Sequence, residues 1–275
     1  MANKKEEYLG FIGAGKMATA LACGVVKSGA WPADRVLATD ISADSLKNFV
    51  AKAGAAASLT AVDLVEKCAV IVLAVKPGHV AQALAPLSRL ATPRLLISIA
   101  AGVTLARLES LVPAAVRVIR VMPNTPALVG AGASAYSLGA RATEQDALIA
   151  QRILGSVGLA VQVAEAQLDA VTGLSGSGPA YLCVVIEALA DGGVAAGLPR
   201  PLALQLAAQT VLGSGRLVVE SGEHPARLKD DVASPAGTTV EGLKILEARG
   251  VRSAFIEAVG AATRRSRELG QSFLS

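Results

Sequence analysis

Three groups of residues have types and spacing suited to chemistry. Gly13, Gly15 and Ala18 stand in the order Gly-x-Gly-x-x-Ala, directly after the apolar run Tyr8-Leu9-Gly10-Phe11-Ile12. The helical pattern Met17, Leu21, Val25 follows at once. Strand, tight turn and helix form the context in which this spacing cradles a dinucleotide pyrophosphate. Gly13 can take a backbone conformation closed to other residues, Gly15 offers no Cβ to an approaching phosphate, and Ala18 lets helix and strand pack closely. The helix then presents free N–H groups and the positive end of its dipole. A glycine-rich turn that holds no ligand has the same residues, so the rest of the chain must decide. About twenty residues on, a second strand, Arg35–Thr39, ends at Asp40. Two readings fit it. The carboxylate either accepts a ribose 2′-hydroxyl, which would favour NAD over NADP, or caps a helix that begins near Ser42.

The other two groups lie in the second half. Gly173-Leu174-Ser175-Gly176-Ser177-Gly178-Pro179-Ala180-Tyr181 and Asp230-Asp231-Val232-Ala233-Ser234-Pro235-Ala236-Gly237-Thr238-Thr239 both run into helical patterns. Small residues let the backbone curl around a ligand, and free N–H groups with Ser and Thr hydroxyls can clamp a carboxylate. Each stretch alone would pass for a capped helix start, since Ser and Thr are common N-caps. Two of them, flanked by glycines and prolines, ask for more.

The elements that must position these groups follow from hydrophobic period. Helices are predicted at Ser45–Ala53, Val62–Lys67, Val80–Leu90, Leu105–Leu111 and Glu144–Ser156. Strands are predicted at Cys68–Val75, Leu95–Ile99, Val116–Val121, Ala133–Tyr136 and Ala160–Val163. The run Cys68–Val75 is apolar throughout, as a central parallel strand covered on both faces should be. It ends at Lys76-Pro77-Gly78, beyond a strand's carboxyl end, where ligands sit in such folds. Met122-Pro123-Asn124-Thr125-Pro126 forms a rigid loop at the end of another strand. Regular alternation predicts a doubly wound parallel sheet with some antiparallel edge strands. After Leu168 the pattern is helical: Pro179–Ala196, Pro201–Glu220, Pro225–Val232, Thr239–Arg249 and Val251–Leu269. The first of these is dense in Ala and Gly, which predicts close packing with another helix, across a dimer interface. The fold class is therefore α/β, with an N-terminal Rossmann-type doubly wound sheet over 1–164 and an all-helical dimerisation domain over 165–275.

Composition narrows the function. The chain of 275 residues is 52% hydrophobic but only 3% aromatic, so Ala, Val, Leu and Ile fill a core that needs no metal or disulfide staple. The net charge of +4 is mild and dispersed, and Arg264-Arg265-Ser266-Arg267 reads as a solvated helix end, which leaves no nucleic-acid surface. Cys23, Cys68 and Cys183 are odd in number and lie among apolar residues, which predicts buried free thiols and no metal site. Residues 1–7 are charged and lack an apolar segment of signal type, and no uninterrupted apolar run reaches eighteen residues. The expectation is a cytoplasmic protein with no membrane partner.

Taken together these stretches resemble pyrroline-5-carboxylate reductase, along essentially the whole chain. The resemblance runs through Phe11–Ala18, Ala74–Pro77, Ser98–Thr104, Arg120–Pro126, Gly173–Tyr181 and, most specifically, Lys229–Thr239. It implies hydride transfer from NADPH or NADH to the C=N carbon of 1-pyrroline-5-carboxylate, giving L-proline. It also implies a homodimer that assembles into a larger homo-oligomer and helps to build each site. The dinucleotide would meet Ile12, Gly13, Ala14, Gly15, Lys16, Met17, Asp40, Ala74, Val75, Lys76, Pro77, Ala100, Ala101 and Asp231. The substrate would meet Glu165, Ser234, Gly237, Thr238 and Thr239. Thr239 would polarise the reacting nitrogen and Thr238 would hold the carboxylate, the two together forming the catalytic pair. Ala236 departs from the family, which usually has glycine there. His79 and His224, the only histidines, match no family motif, so no histidine acid is expected. Lys76 fits a place beside the nicotinamide or a plain surface position equally well. The β-hydroxyacid dehydrogenases, also a Rossmann domain followed by helices, resemble one another in carrying a catalytic lysine on a second-domain helix. Leu168–Ala196 contains no lysine. A non-catalytic nucleotide sensor would have no need of Ser234–Thr239.

Overall fold

A computed structural model of the chain describes residues 8–58, 60–89 and 92–272. The N-terminal segment 1–7 and the end of the helix predicted to reach Leu90 lie outside the described residues. β1 (Tyr8–Ile12) turns into α1 (Lys16–Lys27), and β2 (Val36–Thr39) into α2 (Ala43–Ala53). β3 (Ala56–Ala57), α3 (Ala61–Lys67), β4 (Cys68–Leu73) and α4 (Val80–Leu84) follow. Then come β5 (Arg94–Ser98), α5 (Leu105–Ser110), β6 (Val116–Met122), β7 (Gly132–Leu138), α6 (Glu144–Gly155) and β8 (Gly158–Gln162).

The eight strands form one sheet in the order β3-β2-β1-β4-β5-β6-β7-β8. Every pairing is parallel except β6 with β7. The antiparallel pair therefore lies inside the sheet and not at its edge, as the sequence had suggested. Its cause is the short link between Met122 and Gly132, too short for a crossover helix, so the chain must reverse. α6 then crosses over and restores parallel pairing at β8. Two further differences are local. β3 is a pair of alanines with no strand signature. The helix after Val80 changes to tighter 3-10 turns over Ala85–Arg89, where Pro86 withholds an N–H from the ladder.

Successive β4 residues show why its sequence is apolar throughout. Val70 and Val72 pack with Leu9, Phe11, Leu21, Phe49 and Ile153 on one face. Ile71 and Leu73 pack with Leu64, Leu84, Leu96 and Leu108 on the other. Both faces are covered, so alternation has nothing polar to alternate with.

One buried charge in this unit carries a stability prediction. Asp146, almost fully buried in the first turn of α6, accepts from Arg117 Nε at 2.8 Å and Nη2 at 2.9 Å and from the Thr143 N–H at 2.9 Å. Burial alone pushes its carboxyl up; the hydrogen bonds from Arg117 and Thr143 outweigh this and hold it below the usual carboxylate range. A carboxyl depressed on folding stabilises the fold above its unfolded value, and that contribution is lost as pH falls through the folded one. Asp146→Ala is expected to cost about 3 kcal/mol at neutral pH, since it removes both hydrogen bonds from Arg117 and half of the capping box with Thr143. Denaturant unfolding should show the gap between variant and parent closing as the pH drops below the carboxylate range.

Contacts divide the chain into Met1–Gly176 with Ala262–Ser275, and Ser177–Ala261. The sequence placed the boundary at 164/165. The difference arises because α7 (Leu168–Val171) and the turn after it pack with the sheet unit, as does the end of the last helix. Ser266 Oγ, for example, donates to Asp169 Oδ1 at 2.7 Å. The second unit holds α8 (Gly178–Ala195), α9 (Arg200–Ser221), α10 (Pro225–Val232), α11 (Thr238–Ala248) and the first part of α12 (Val251–Ser272).

α8 and α9 meet where side chains are smallest: a Cβ on Gly193 would stand 3.2 Å from the Ala203 Cβ. The buried core there is only Ala190, Ala203 and Ala207. Val184, Leu212, Val219, Ile245 and Ile256 are exposed, Val219 by 81%. Cys183 on α8 is exposed too and Cys23 half-buried, against the expectation of three buried thiols; Cys68 is buried, and burial pushes its thiol up to about 12. Residues Glu165–Ala195 and Arg200–Ser221 are long and apolar enough to cross a membrane by length and composition alone.

Candidate active site

Parallel register brings the predicted dinucleotide residues, Asp231 excepted, to one end of the sheet. Ile12 pairs with Thr39 on one side and Leu73 on the other. Leu73 pairs in turn with Ser98. The segments that follow these strands, Gly13–Met17, Asp40, Ala74–Pro77 and Ala100–Ala101, therefore leave adjacent strands at their carboxyl ends. Backbone bonds continue the alignment: Gly13 N–H donates to Thr39 O at 2.9 Å, Ala74 N–H to Ile12 O at 2.8 Å and Ile99 N–H to Leu73 O at 3.0 Å. The sheet order reverses direction at β1 and β4, and that crevice is where open α/β sheets bind ligands.

The turn itself fits a pyrophosphate. Gly13 has φ +98°, and a Cβ there would stand 2.5 Å from the Ala74 carbonyl oxygen. Gly15 is exposed, and a Cβ there would meet nothing within 4 Å. It serves as the N-cap of α1, which has no side-chain cap and no acidic residue in its first turn. The start of the helix is therefore available to an anion. Lys16 is exposed beside it and Met17 is partly buried.

Asp40 does not cap α2, whose N-cap is Ser42, and its carboxylate is instead held by two backbone N–H groups. Oδ2 accepts the Ala14 N–H at 2.6 Å and Oδ1 the Ser42 N–H at 2.7 Å. The carboxylate pins the glycine turn to the end of β2 and braces the start of α2, where Ser42 is the N-cap. Each oxygen keeps a lone pair for a ribose hydroxyl. Lys76 precedes the short turn Pro77–His79 and is exposed. Ala100 is buried, and its N–H donates to Ser98 Oγ at 3.3 Å; Ala101 is exposed.

Glu165 is more constrained than a residue that merely lines a pocket. Its Oε1 accepts from Arg120 Nη1 at 2.9 Å and from the Leu105 N–H at 2.7 Å. Neither Arg120 nor Asn124 has a role that the sequence alone suggests. The Asn124 amide donates to Ser175 O at 3.0 Å and accepts the Ala133 N–H at 2.8 Å, so it knits the loop after β6 to β7 and to the turn beyond α7. The signal for both was a polar residue within or directly after a strand core, Arg120 inside Val116–Met122 and Asn124 between two prolines.

The Gly173–Tyr181 stretch differs from its expectation. Thr172–Gly176 is a π-helical turn, and α8 begins at Gly178 with Pro179 in its first turn. The hydroxyls of Thr172 and Ser175 donate to the carbonyls of Leu168 and Val171, at 2.8 and 3.2 Å. The region is wound helix with an inserted residue, a feature that often marks functional positions, and not an open glycine loop.

The second stretch keeps its predicted character. Gly237 is the N-cap of α11, with no side-chain cap, and Thr238 and Thr239 open the helix. Gly237 N–H donates to Ser234 O at 3.0 Å, closing a tight turn, and a Cβ on Gly237 would stand 2.3 Å from the Ser234 hydroxyl. Ala236 has φ +55°, alone among the described non-glycine residues in the left-handed region. The position that departs from glycine keeps a glycine conformation, at a cost of about 1 kcal/mol. Asp231 lies on α10 and pairs with Arg227 at 3.2 Å. His224 caps α10, its Nδ1 accepting the Ala226 N–H at 3.2 Å, and His79 is exposed at the start of α4. No group of three or more His, Cys, Asp or Glu among the described residues gathers in a way suited to a metal ion.

Comparison with known proteins gives a consistent account. Residues 165–269 match a family model described as pyrroline-5-carboxylate reductase dimerisation. Residues 8–102 match one described as NADP oxidoreductase, coenzyme F420-dependent. A pyrroline-5-carboxylate reductase of Arabidopsis thaliana is 49% identical over 265 residues, 96% of this chain and 96% of that protein. One from Methanosarcina acetivorans is 47% identical over 97% of this chain and 99% of its own length. Among solved structures, a pyrroline-5-carboxylate reductase from Coxiella burnetii superposes with a TM-score of 0.89 at 35% identity, covering 96% of this chain and 99% of that one. The Plasmodium falciparum pyrroline carboxylate reductase, solved with NADP bound, gives 0.82 at 33% identity over 96% and 98%. Identity near one half, sustained over almost the full length, shows that the chain belongs to the pyrroline-5-carboxylate reductase family and is an NAD(P)H-dependent oxidoreductase.

Proposed function

We propose that this chain reduces the cyclic imine of 1-pyrroline-5-carboxylate to L-proline, and that its own backbone does most of the binding. The observation that carries the reading is two helix starts whose N-cap is a glycine and so has no side chain between the free N–H groups and a ligand, Gly15 before α1 and Gly237 before α11. The first suits a pyrophosphate and the second a small carboxylate. Bound NADPH or NADH supplies the hydride. The imine carbon gains that hydride, the C=N π bond becomes the nitrogen lone pair, and the nitrogen takes a proton. Gly13–Met17 hold the phosphates, Asp40 the ribose, and Ala74–Pro77 with Ala100 and Ala101 the remainder of the dinucleotide. Asp231 completes that set on the family's pattern.

Ser234, Gly237 and Thr238 hold the substrate carboxylate. Thr239 hydrogen-bonds the nitrogen as it becomes an amine, and Glu165 borders the pocket. A threonine hydroxyl is a weak acid, so its role is to polarise and relay, while the rate comes chiefly from holding imine carbon and nicotinamide together. Oxidation of NADPH or NADH by the purified chain with pyrroline-5-carboxylate tests this directly. Turnover yielding L-proline supports it, and none with either nucleotide removes it.

The apolar surface of α8, α9 and α11 meets a second copy of the chain, and the dimers assemble further. This accounts for two helices of membrane-like composition, since Glu187 and Asp191 interrupt the first. Light scattering should return two or a larger multiple of 27.7 kDa, and a monomer would contradict it. Free thiols suit the cytoplasm. Nucleotide choice follows from Asp40, whose charge repels a 2′-phosphate. Asp40→Ser is expected to raise the ratio of kcat/KM with NADPH to that with NADH about tenfold, or 1.4 kcal/mol. Steady-state rates with both nucleotides check it, against some loss of affinity for each as the Ala14 N–H loses its acceptor.

A further inference from the structure

The pairing of Arg120 with Glu165 joins three segments distant in sequence. Arg120 rises from β6 at the position in register with Ser98, the last residue of β5. Its side chain is only 9% exposed, so its charge depends on a partner. That partner, Glu165, follows β8 and is one-third exposed. The same carboxylate oxygen takes the N–H of Leu105, the first residue of α5, while Thr104 Oγ1 takes that of Arg107 at 3.2 Å. Together the two side chains satisfy N–H groups of the helix that directly follows Ala100-Ala101-Gly102-Val103. One end of that loop is fixed by β5 and the other by this carboxylate. Gly102 within it has φ +77°, so the loop has a built-in pivot that relies on anchored ends.

We propose that Glu165 and Arg120 are positioning residues for the dinucleotide: Arg120 orients the Glu165 carboxylate, which holds α5 and so sets the Ala100–Thr104 loop. This goes beyond a role for Glu165 at the edge of the substrate pocket, and it rests on the reading of Ala100 and Ala101 as dinucleotide contacts. A hydrogen bond from a backbone N–H to a carboxylate is among the stronger kinds. Its loss frees the loop's far end, and the ordering must then be recovered when the dinucleotide binds.

The test is a titration of the purified protein with NADPH, followed by nicotinamide fluorescence, with no substrate present. Glu165→Ala and Arg120→Met are each expected to weaken NADPH binding in the absence of substrate about tenfold. The double variant should be no weaker than the poorer single one, because the two side chains act as one unit. Glu165→Gln keeps an acceptor for the Leu105 N–H but loses the ion pair, so it should fall between, about threefold weaker. Should Glu165→Ala fail to fold, as circular dichroism and melting would reveal, the glutamine variant decides. NADPH affinity equal to the parent's in Glu165→Gln, or a rise confined to KM for the imine in Glu165→Ala, would overturn the proposal. Failure of the parent to bind NADPH at all would overturn the family's dinucleotide reading instead.

Discussion

Gly13→Ala is expected to weaken dinucleotide binding by about a hundredfold, close to 3 kcal/mol, and to destabilise the fold by a similar amount. The residue has φ +98°, and the added methyl carbon would stand 2.5 Å from the Ala74 carbonyl oxygen and 2.8 Å from its carbon. Neither can move alone: Ala74 N–H is bonded to Ile12 O and Gly13 N–H to Thr39 O, so a shift spreads through β1, β2 and β4. Gly15→Ala separates the two effects. A Cβ there meets nothing within 4 Å, so the melting temperature should hold while NADPH affinity falls. Thermal melts and NADPH titrations of both variants check the pair. If Gly15→Ala binds NADPH as the parent does, the pyrophosphate is not at this turn.

Thr239→Ala should lower kcat about thirtyfold while NADPH binding stays within about twofold of the parent. The hydroxyl sits at the start of α11, half-buried, next to the turn closed by Gly237 and Ser234. Removing it leaves the helix N–H groups in place, so affinity for the carboxylate is largely kept. What is lost is a polar contact made as the nitrogen gains its proton, and such a loss appears in kcat. Thr239→Ser, which retains the hydroxyl, should recover most of the rate. Steady-state kinetics at saturating NADPH checks both variants, and unchanged turnover in Thr239→Ala would contradict the role.

What could be read from the sequence was what depends on neighbours in the chain. Gly13, Gly15 and Ala18 were legible because a strand, a turn and a helix follow within twelve residues, and β4 because both its faces are covered. The loop ahead of α11 was legible through its small residues and its two threonines. Arg120 and Glu165 were not legible as a pair, since forty-five residues separate them and only the pairing of β6 with β7 and of β7 with β8 brings them together. The interior antiparallel pairing was half legible: the short link after Met122 demands reversal, but nothing local says that β8 will pair beyond β7. Gly173–Gly178 misled because glycine and serine signal loops, whereas here the hydroxyls of Thr172 and Ser175 bond back onto the preceding turn of a wound helix. Ala236 shows the reverse, a side chain held where glycine would be easier because the turn to Gly237 fixes it.

The account rests on a hydride passing from the nicotinamide to the imine carbon of pyrroline-5-carboxylate. Its most direct test is to supply NADPH or NADH deuterated at the transferring face of nicotinamide C4 and to examine the proline by mass spectrometry and NMR. The account predicts one deuterium per proline, on the ring carbon that was the imine carbon, with L configuration at the carbon bearing the carboxylate. Proline without deuterium, or no proline while both nucleotides are bound, would contradict it.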